Sequence, residues 1–193
     1  MANAGYKAES TLLEEISSSG RAKFEKLDGT IVEIPVSGRI MTFGFSTRTK
    51  VDMVINGNYR LQIKCAGTKR SAVLNMVPAR LLEQVGREQL LDVEPCYKAM
   101  EIVSSSSAST IKLSDYFDIE DWSELLSYFL FEGTATGQAD KNFQANYLLE
   151  VDGSRRTLIE KQEAIAHIWK GLTAEIRTRP NKIEPCLHVR YAT

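Results

Sequence analysis

Apolar positions in this chain follow two periods, which alternate along its length. In AESTLLEEISSSG (8–20), Leu12, Leu13 and Ile16 recur at helical spacing, with Ser10 placed as an N-cap and Gly20 as a stop. AKFEKLDGTIVEIPV (22–36) has strand-like runs on either side of Asp28-Gly29, which predicts two strands and a hairpin turn. GRIMTFGF (38–45) is short and broken by glycine, and TKVDMVINGNYRLQIKC (49–65) predicts a second hairpin. A Gly-Thr-Lys-Arg loop follows at 67–70, and VLNMVPARLLEQVGREQLLD (73–92) reads as helical, with Pro78 as a start or kink. SSSSAS (104–109) reads as a surface loop, and DIEDWSELLSYFLFEG (118–133) as a buried helix capped by Asp118. NYLLEVDG (146–153) is a strand into a turn, TLIEKQEAIAHIWKGLTAEI (157–176) one long amphipathic helix, and CLHVRY (186–191) a closing strand. No internal repeat interrupts this order, which predicts a mixed α/β or α+β architecture in a single domain over 1–193.

The second hairpin carries the chemistry. A three-residue loop at Asn56-Gly57-Asn58 pairs Ile55 with Tyr59, Met53 with Leu61, and Asp52 with Gln62. Side chains alternate along a strand, so one face then holds Val51, Met53, Ile55, Tyr59, Leu61, Ile63 and Cys65, all apolar or nearly so. The other face holds Asp52, Val54, Arg60, Gln62 and Lys64. A two-residue loop sets Asp52 against Leu61 and scatters both groups, so burial selects the longer loop and gathers an acid, an amide and a lysine.

Charge adds a direction. The net charge is −1, but residues 39–81 hold eight Lys and Arg against one acid, Asp52, while residues 82–140 hold three against twelve acids. A basic block around an isolated Asp suits a polyanionic partner. With 43% hydrophobic and 25% charged residues and no apolar run of about 18 residues, the chain is expected to be soluble, with no membrane span. The start lacks a basic segment followed by an apolar one, so no secretory signal is expected. Cys65, Cys96 and Cys186 are odd in number and far apart, which implies reduced thiols in a cytoplasmic protein. His167 and His188 are the only histidines, which leaves little scope for histidine-based metal or triad chemistry.

An Asp on one strand, followed by Gln-x-Lys on the next, resembles the PD-(D/E)XK nuclease superfamily, and specifically its type II restriction endonucleases in which Gln replaces the second acid. The resemblance is clearest over TKVDMVI and YRLQIKCAGTKRSAVLN, within residues 46–76. It implies a central mixed β-sheet flanked by helices and Mg²⁺-dependent hydrolysis of double-stranded DNA. It also implies a homodimer for a symmetric site and a possible cognate DNA methyltransferase. By motif position, Asp52 is the bridging metal ligand, Gln62 and the Ile63 carbonyl are further ligands, and Lys64 orients the attacking water and stabilises phosphorane charge. A lone carboxylate is a poor magnesium site, and related nucleases bring a glutamate from a helix. Glu14 and Glu15 are candidates here, and Glu15, nearer the apolar stripe, is preferred.

Arg48, Lys50, Lys69, Arg70, Ser71 and Asn75 flank the motif and are expected to contact DNA, mainly its phosphates. Base readout is expected from Asn75, Arg80, the segment 133–142, and Arg177, Arg179, Asn181 and Lys182. His167 and Trp169 read as core or interface residues and His188 as structural. Three other functions compete: a structure-specific repair or recombination nuclease of the same fold, a non-catalytic DNA- or partner-binding protein with a degraded site, and an α/β domain unrelated to nucleic acid.

Overall fold

The computed structural model describes residues 4–43, 49–65, 71–134, 137–178 and 185–192. Among them the chain forms a mixed α/β fold with a seven-stranded mixed sheet, a four-stranded antiparallel sheet and five α-helices.

Helix α1 (Ala4–Ser19) is followed by the hairpin β1 (Arg21–Glu25) and β2 (Ile31–Pro35), then β3 (Met41–Thr42), β4 (Met53–Ile55) and β5 (Tyr59–Cys65). Strand β6 (Ser71–Pro78) leads into α2 (Ala79–Gln89) and α3 (Glu94–Ser105), then β7 (Thr110–Lys112) and α4 (Ile119–Ser127). A π-helical turn (Tyr128–Glu132) extends α4 before the short pair β8 (Gly133–Thr134) and β9 (Gly137–Gln138). Strands β10 (Tyr147–Asp152) and β11 (Arg155–Glu160), helix α5 (Lys161–Trp169), and strands β12 (Leu172–Thr178) and β13 (Pro185–Ala192) complete the chain.

The large sheet runs β2-β1-β11-β10-β5-β4-β3, parallel at β1/β11 and β10/β5 and antiparallel elsewhere. Alternation along its central strands divides the core. Leu61 and Ile63 of β5, Leu149 of β10 and Leu158 of β11 face α1, where Leu12 and Ile16 cover them. Leu148 and Ile159 point the other way, into a larger core built from α2 to α5 and the inner face of the second sheet. That sheet runs β6-β13-β12-β7.

Both expected hairpins form, and the second keeps the expected register at Ile55 opposite Tyr59, Val54 opposite Arg60 and Met53 opposite Leu61. The expected pairing of Asp52 with Gln62 does not form, because β4 ends at Met53 and the Asp52 N–H turns to Leu61 O. Asn56 and Gly57 take φ of 53° and 75°, the left-handed conformation that an Asn-Gly turn supplies at least cost. Asp118 starts α4 as expected, with its N–H donated to Asp121 Oδ2 at 3.1 Å.

Three expected boundaries move. Helix α1 begins at Ala4, six residues before the expected cap, so Ser10 lies inside it. Residues 71–78 are a strand, because the segment before Pro78 is biased against helix and its valines pair with β13; helix starts only at Ala79. The long helix expected over 157–176 is a strand, a nine-residue helix and another strand. The ends of that segment bury alternate or successive apolar residues against the two sheets, and Gly171 separates α5 from β12.

Candidate active site

The site lies where β4 stops short and β5 runs on. The Asp52 N–H donates to Leu61 O at 2.8 Å, although the ladder partner of Leu61 is Met53. Two successive residues therefore face one, a β-bulge, which re-aims the Asp52 side chain. Before the bulge the chain leaves β5: the Lys50 and Val51 N–H groups both donate to Phe143 O, at 2.9 and 3.1 Å. The turn around Phe143, just after the segment 133–142 expected to read bases, thus buttresses the strand entry.

On the side of β5 away from β10, where among the described residues β4 ends at Met53, the Ile63 N–H donates to Asp52 Oδ2 at 2.6 Å, and the Gln62 amide nitrogen donates to the same oxygen at 2.5 Å. The N–H and C=O of a strand residue leave on one edge, so the Ile63 carbonyl leaves on this open edge too. Gln62 is buried, at 7% exposure. Its amide nitrogen faces the carboxylate, so the amide must turn over to offer its oxygen to a cation.

Charged neighbours complete the cluster. Burial pushes the Asp52 carboxyl up, opposed by the hydrogen bonds from Ile63 and Gln62 and by the Lys64 and Lys50 charges. Lys64 is pulled down by burial, against the Asp52 charge that holds it up. Lys50 is pulled down to about 7 by burial and by the Lys64 charge, with Asp52 opposing. An amine at that value takes both protonation states near neutrality. Lys50, expected as a phosphate contact, therefore belongs to the charge cluster itself.

The helix acid of the cluster is Glu9, not Glu15. Burial and the Asp52 charge push Glu9 up to about 7, and both acids also raise the Cys65 thiol, after burial. Glu15 is engaged elsewhere: Arg156 of β11 donates to both of its oxygens, one at 2.6 Å, which holds that carboxyl below the usual range. A helix begun at Ser10 excludes Glu9 from the pattern. Counted back from Leu12, Leu13 and Ile16 by three, four and seven residues, position 9 is on the buried stripe, and that spacing was the available signal.

Glu150 was also missed. On β10 it sits directly across from Lys64, and its Oε2 is 3.1 Å from His167 Nε2. Arg48, Lys69, Arg70, Arg179, Asn181 and Lys182 lie outside the described residues. For Ser71, Asn75 and Arg80 only the backbone is described, on β6 and at the start of α2. His188 is buried on β13 with Nδ1 2.7 Å from Glu175 Oε1, a structural pairing.

Among the described residues, no three His, Cys, Asp or Glu side chains gather closely enough to hold a metal ion. Any cation at this site must therefore draw on backbone oxygen, amide and water as well as Asp52 and Glu9. No helix among them is long and apolar enough to cross a membrane. Compared with known proteins, the chain matches no family model, no curated protein and no solved structure.

Proposed function

We propose that the chain is a divalent-cation-dependent nuclease that hydrolyses phosphodiester bonds in double-stranded DNA. One observation carries the reading: the open edge of β5 gathers Asp52, the Ile63 backbone, Gln62 and Lys64, with Glu9 close enough to share the Asp52 field. Both acids are partly withdrawn from water and the Asp52 charge pushes Glu9 up, an arrangement that suits a hard cation, which relieves that repulsion. Asp52, Glu9 and the Ile63 carbonyl would hold Mg²⁺, which when bound supplies Lewis-acid polarisation of the phosphoryl oxygen.

The side chains supply the rest. Lys64, which burial pulls down and the Asp52 charge opposes, stabilises in its protonated form the negative charge growing on the phosphorus oxygens. Lys50, at about 7, can accept a proton from an attacking water when neutral. The finer form of the reading is a type II restriction enzyme acting as a homodimer on a symmetric site, and it is supported by the Asp52, Gln62 and Lys64 motif. With Mg²⁺, the protein is expected to cut mixed-sequence plasmid DNA into discrete fragments. Asp52→Asn and Lys64→Ala each should slow cutting by at least about a hundredfold. Discrete fragments formed at the wild-type rate by both variants defeat the proposal.

A second reading, binding without catalysis, is favoured by the Gln62 amide nitrogen on Asp52, which occupies the oxygen a cation would use. It predicts DNA binding insensitive to divalent ions and no cleavage with manganese or magnesium.

A further inference from the structure

Glu150 of β10 is a buried acid that no step of the proposed reaction uses. Strand pairing sets it in a polar row that crosses four strands: Lys64 of β5, Glu150 of β10, Thr157 of β11 and Glu25 of β1. Leu148 and Ile159, two positions away on β10 and β11, point into the larger core, so the row lies on that side of the sheet. Leu61 and Ile63 pack against α1, so by alternation Gln62 and Lys64 also lie on the Glu150 side. Neighbouring strands are about 4.8 Å apart, which stands the stems of Lys64 and Glu150 side by side. Asp52 lies beyond the other edge of β5, on the Ile63 N–H. Lys64 is therefore placed between two acids, one on each side of its strand. Burial works against its charge, and the Asp52 charge supports it.

Glu150 has one oxygen engaged and one open. Its Oε2 is 3.1 Å from His167 Nε2 of α5, whereas its Oε1 is buried with no hydrogen-bond partner among the described residues. A buried acceptor left this way costs about 1–3 kcal/mol, and keeping it calls for a donor that arrives in another state of the molecule. The Tyr191 hydroxyl of β13 is buried and unpartnered as well, and burial and the Glu150 charge push it well above its ordinary value. A tyrosine held protonated offers a donor without charge; an ammonium offers both. Once Asp52 is committed to a cation, its charge no longer serves Lys64, and Glu150 is the acid across from the lysine on the sheet face.

We infer that Glu150, fixed through His167, is the positioning residue for Lys64: its open Oε1 accepts a hydrogen bond from the Lys64 ammonium when a cation takes Asp52, which keeps the lysine held on the sheet face. The inference rests on the nuclease reading and deepens it by assigning the acid that holds the charge-stabilising lysine in place.

The test uses the full chain, labelled at the lysine ε-carbon, in Mg²⁺, with the motion of Lys64 followed by carbon relaxation and its signal assigned by its loss in Lys64→Arg. In wild type that carbon should be ordered. Glu150→Gln keeps the shape and a partner for His167 but removes the charge, and there Lys64 should become as mobile as a surface lysine. Tyr191→Phe should leave it ordered. For duplex cleavage, Glu150→Gln should lower kcat by at least about tenfold with KM unchanged, and should add no loss in a Lys64→Ala background. His167→Ala is the second variant should Glu150→Gln fail to fold, and it should loosen Lys64 in the same way. The inference is overturned if Lys64 stays ordered in the folded variants, if Tyr191→Phe loosens it equally, or if the Glu150→Gln and Lys64→Ala losses simply add. Loosening of Lys64 in a protein whose wild type cuts no DNA removes the nuclease and leaves the anchor; cutting by wild type with Lys64 undisturbed in both variants does the reverse.

Discussion

The charge of Asp52 bears directly on Glu9. Each is taken partly out of water, and the Asp52 charge adds to the penalty on Glu9, which reaches about 7. A cation between them reverses that penalty, so affinity for the ion and the charge of Glu9 are linked. Glu9→Gln is expected to raise the Mg²⁺ concentration for half-maximal cleavage by at least about tenfold, the cost of losing even an outer-shell partner. Glu15→Gln should leave that concentration unchanged, because its carboxylate belongs to Arg156. Its half-exposed ion pair is worth at most about 1 kcal/mol of stability. A magnesium titration of the two variants separates the acids. Equal effects from both, or none from Glu9→Gln, remove Glu9 from the site.

At the scale of elements, the hairpin of β4 and β5 holds the site, and its turn sets the register. Gly57, at φ 75° with open space around it, is free of side-chain clash yet strained for any residue with a Cβ. Gly57→Ala should lower stability by about 1–2 kcal/mol, read as a shift in the urea midpoint, and leave the pairing of Met53 with Leu61 intact. No loss of stability would mean that the turn relaxes elsewhere. This hairpin was legible from sequence because burial of Met53, Ile55, Leu61 and Ile63 permits one loop length. The bulge at Asp52 was not, since it depends on Phe143, about ninety residues away, capturing the strand entry. Helical spacing in α1 was read correctly but stopped too soon at Ser10, which cost Glu9. Strands β6, β11 and β12 were read as helix because short apolar runs fit either period, and only their partners in the sheets decide.

For the whole molecule, the seven-stranded sheet separates two cores, and the parallel pair of β5 and β10 at its centre joins segments far apart in sequence. The second sheet closes the larger core and turns its polar face outward. There, burial alone would raise the Glu175 carboxyl, and hydrogen bonds from His188 and Arg177, with their charges, overcome it and hold it below its ordinary 4.5. A carboxyl depressed in the folded state stabilises the fold above its unfolded pKa, and that contribution is lost as pH falls through the folded value. Glu175→Gln should therefore be less stable than wild type at neutral pH, with the gap closing in acid below 4.5. Urea unfolding at pH 7 and at about pH 3 checks this, and a gap constant across both would show that the carboxylate charge is irrelevant.

The carboxylate of Asp52 also does the job of a missing strand. Where β4 ends, one of its oxygens takes the peptide hydrogen of Ile63 that a neighbouring backbone carbonyl would otherwise accept. Truncation to alanine strips that acceptor and leaves a peptide donor stranded at a half-buried sheet margin, at about 1–3 kcal/mol. An inactive alanine variant would thus confound lost chemistry with a loosened margin, one open to pairing with a second molecule. Asparagine keeps an oxygen there and removes only the charge, which makes it the substitution whose silence can be attributed to chemistry.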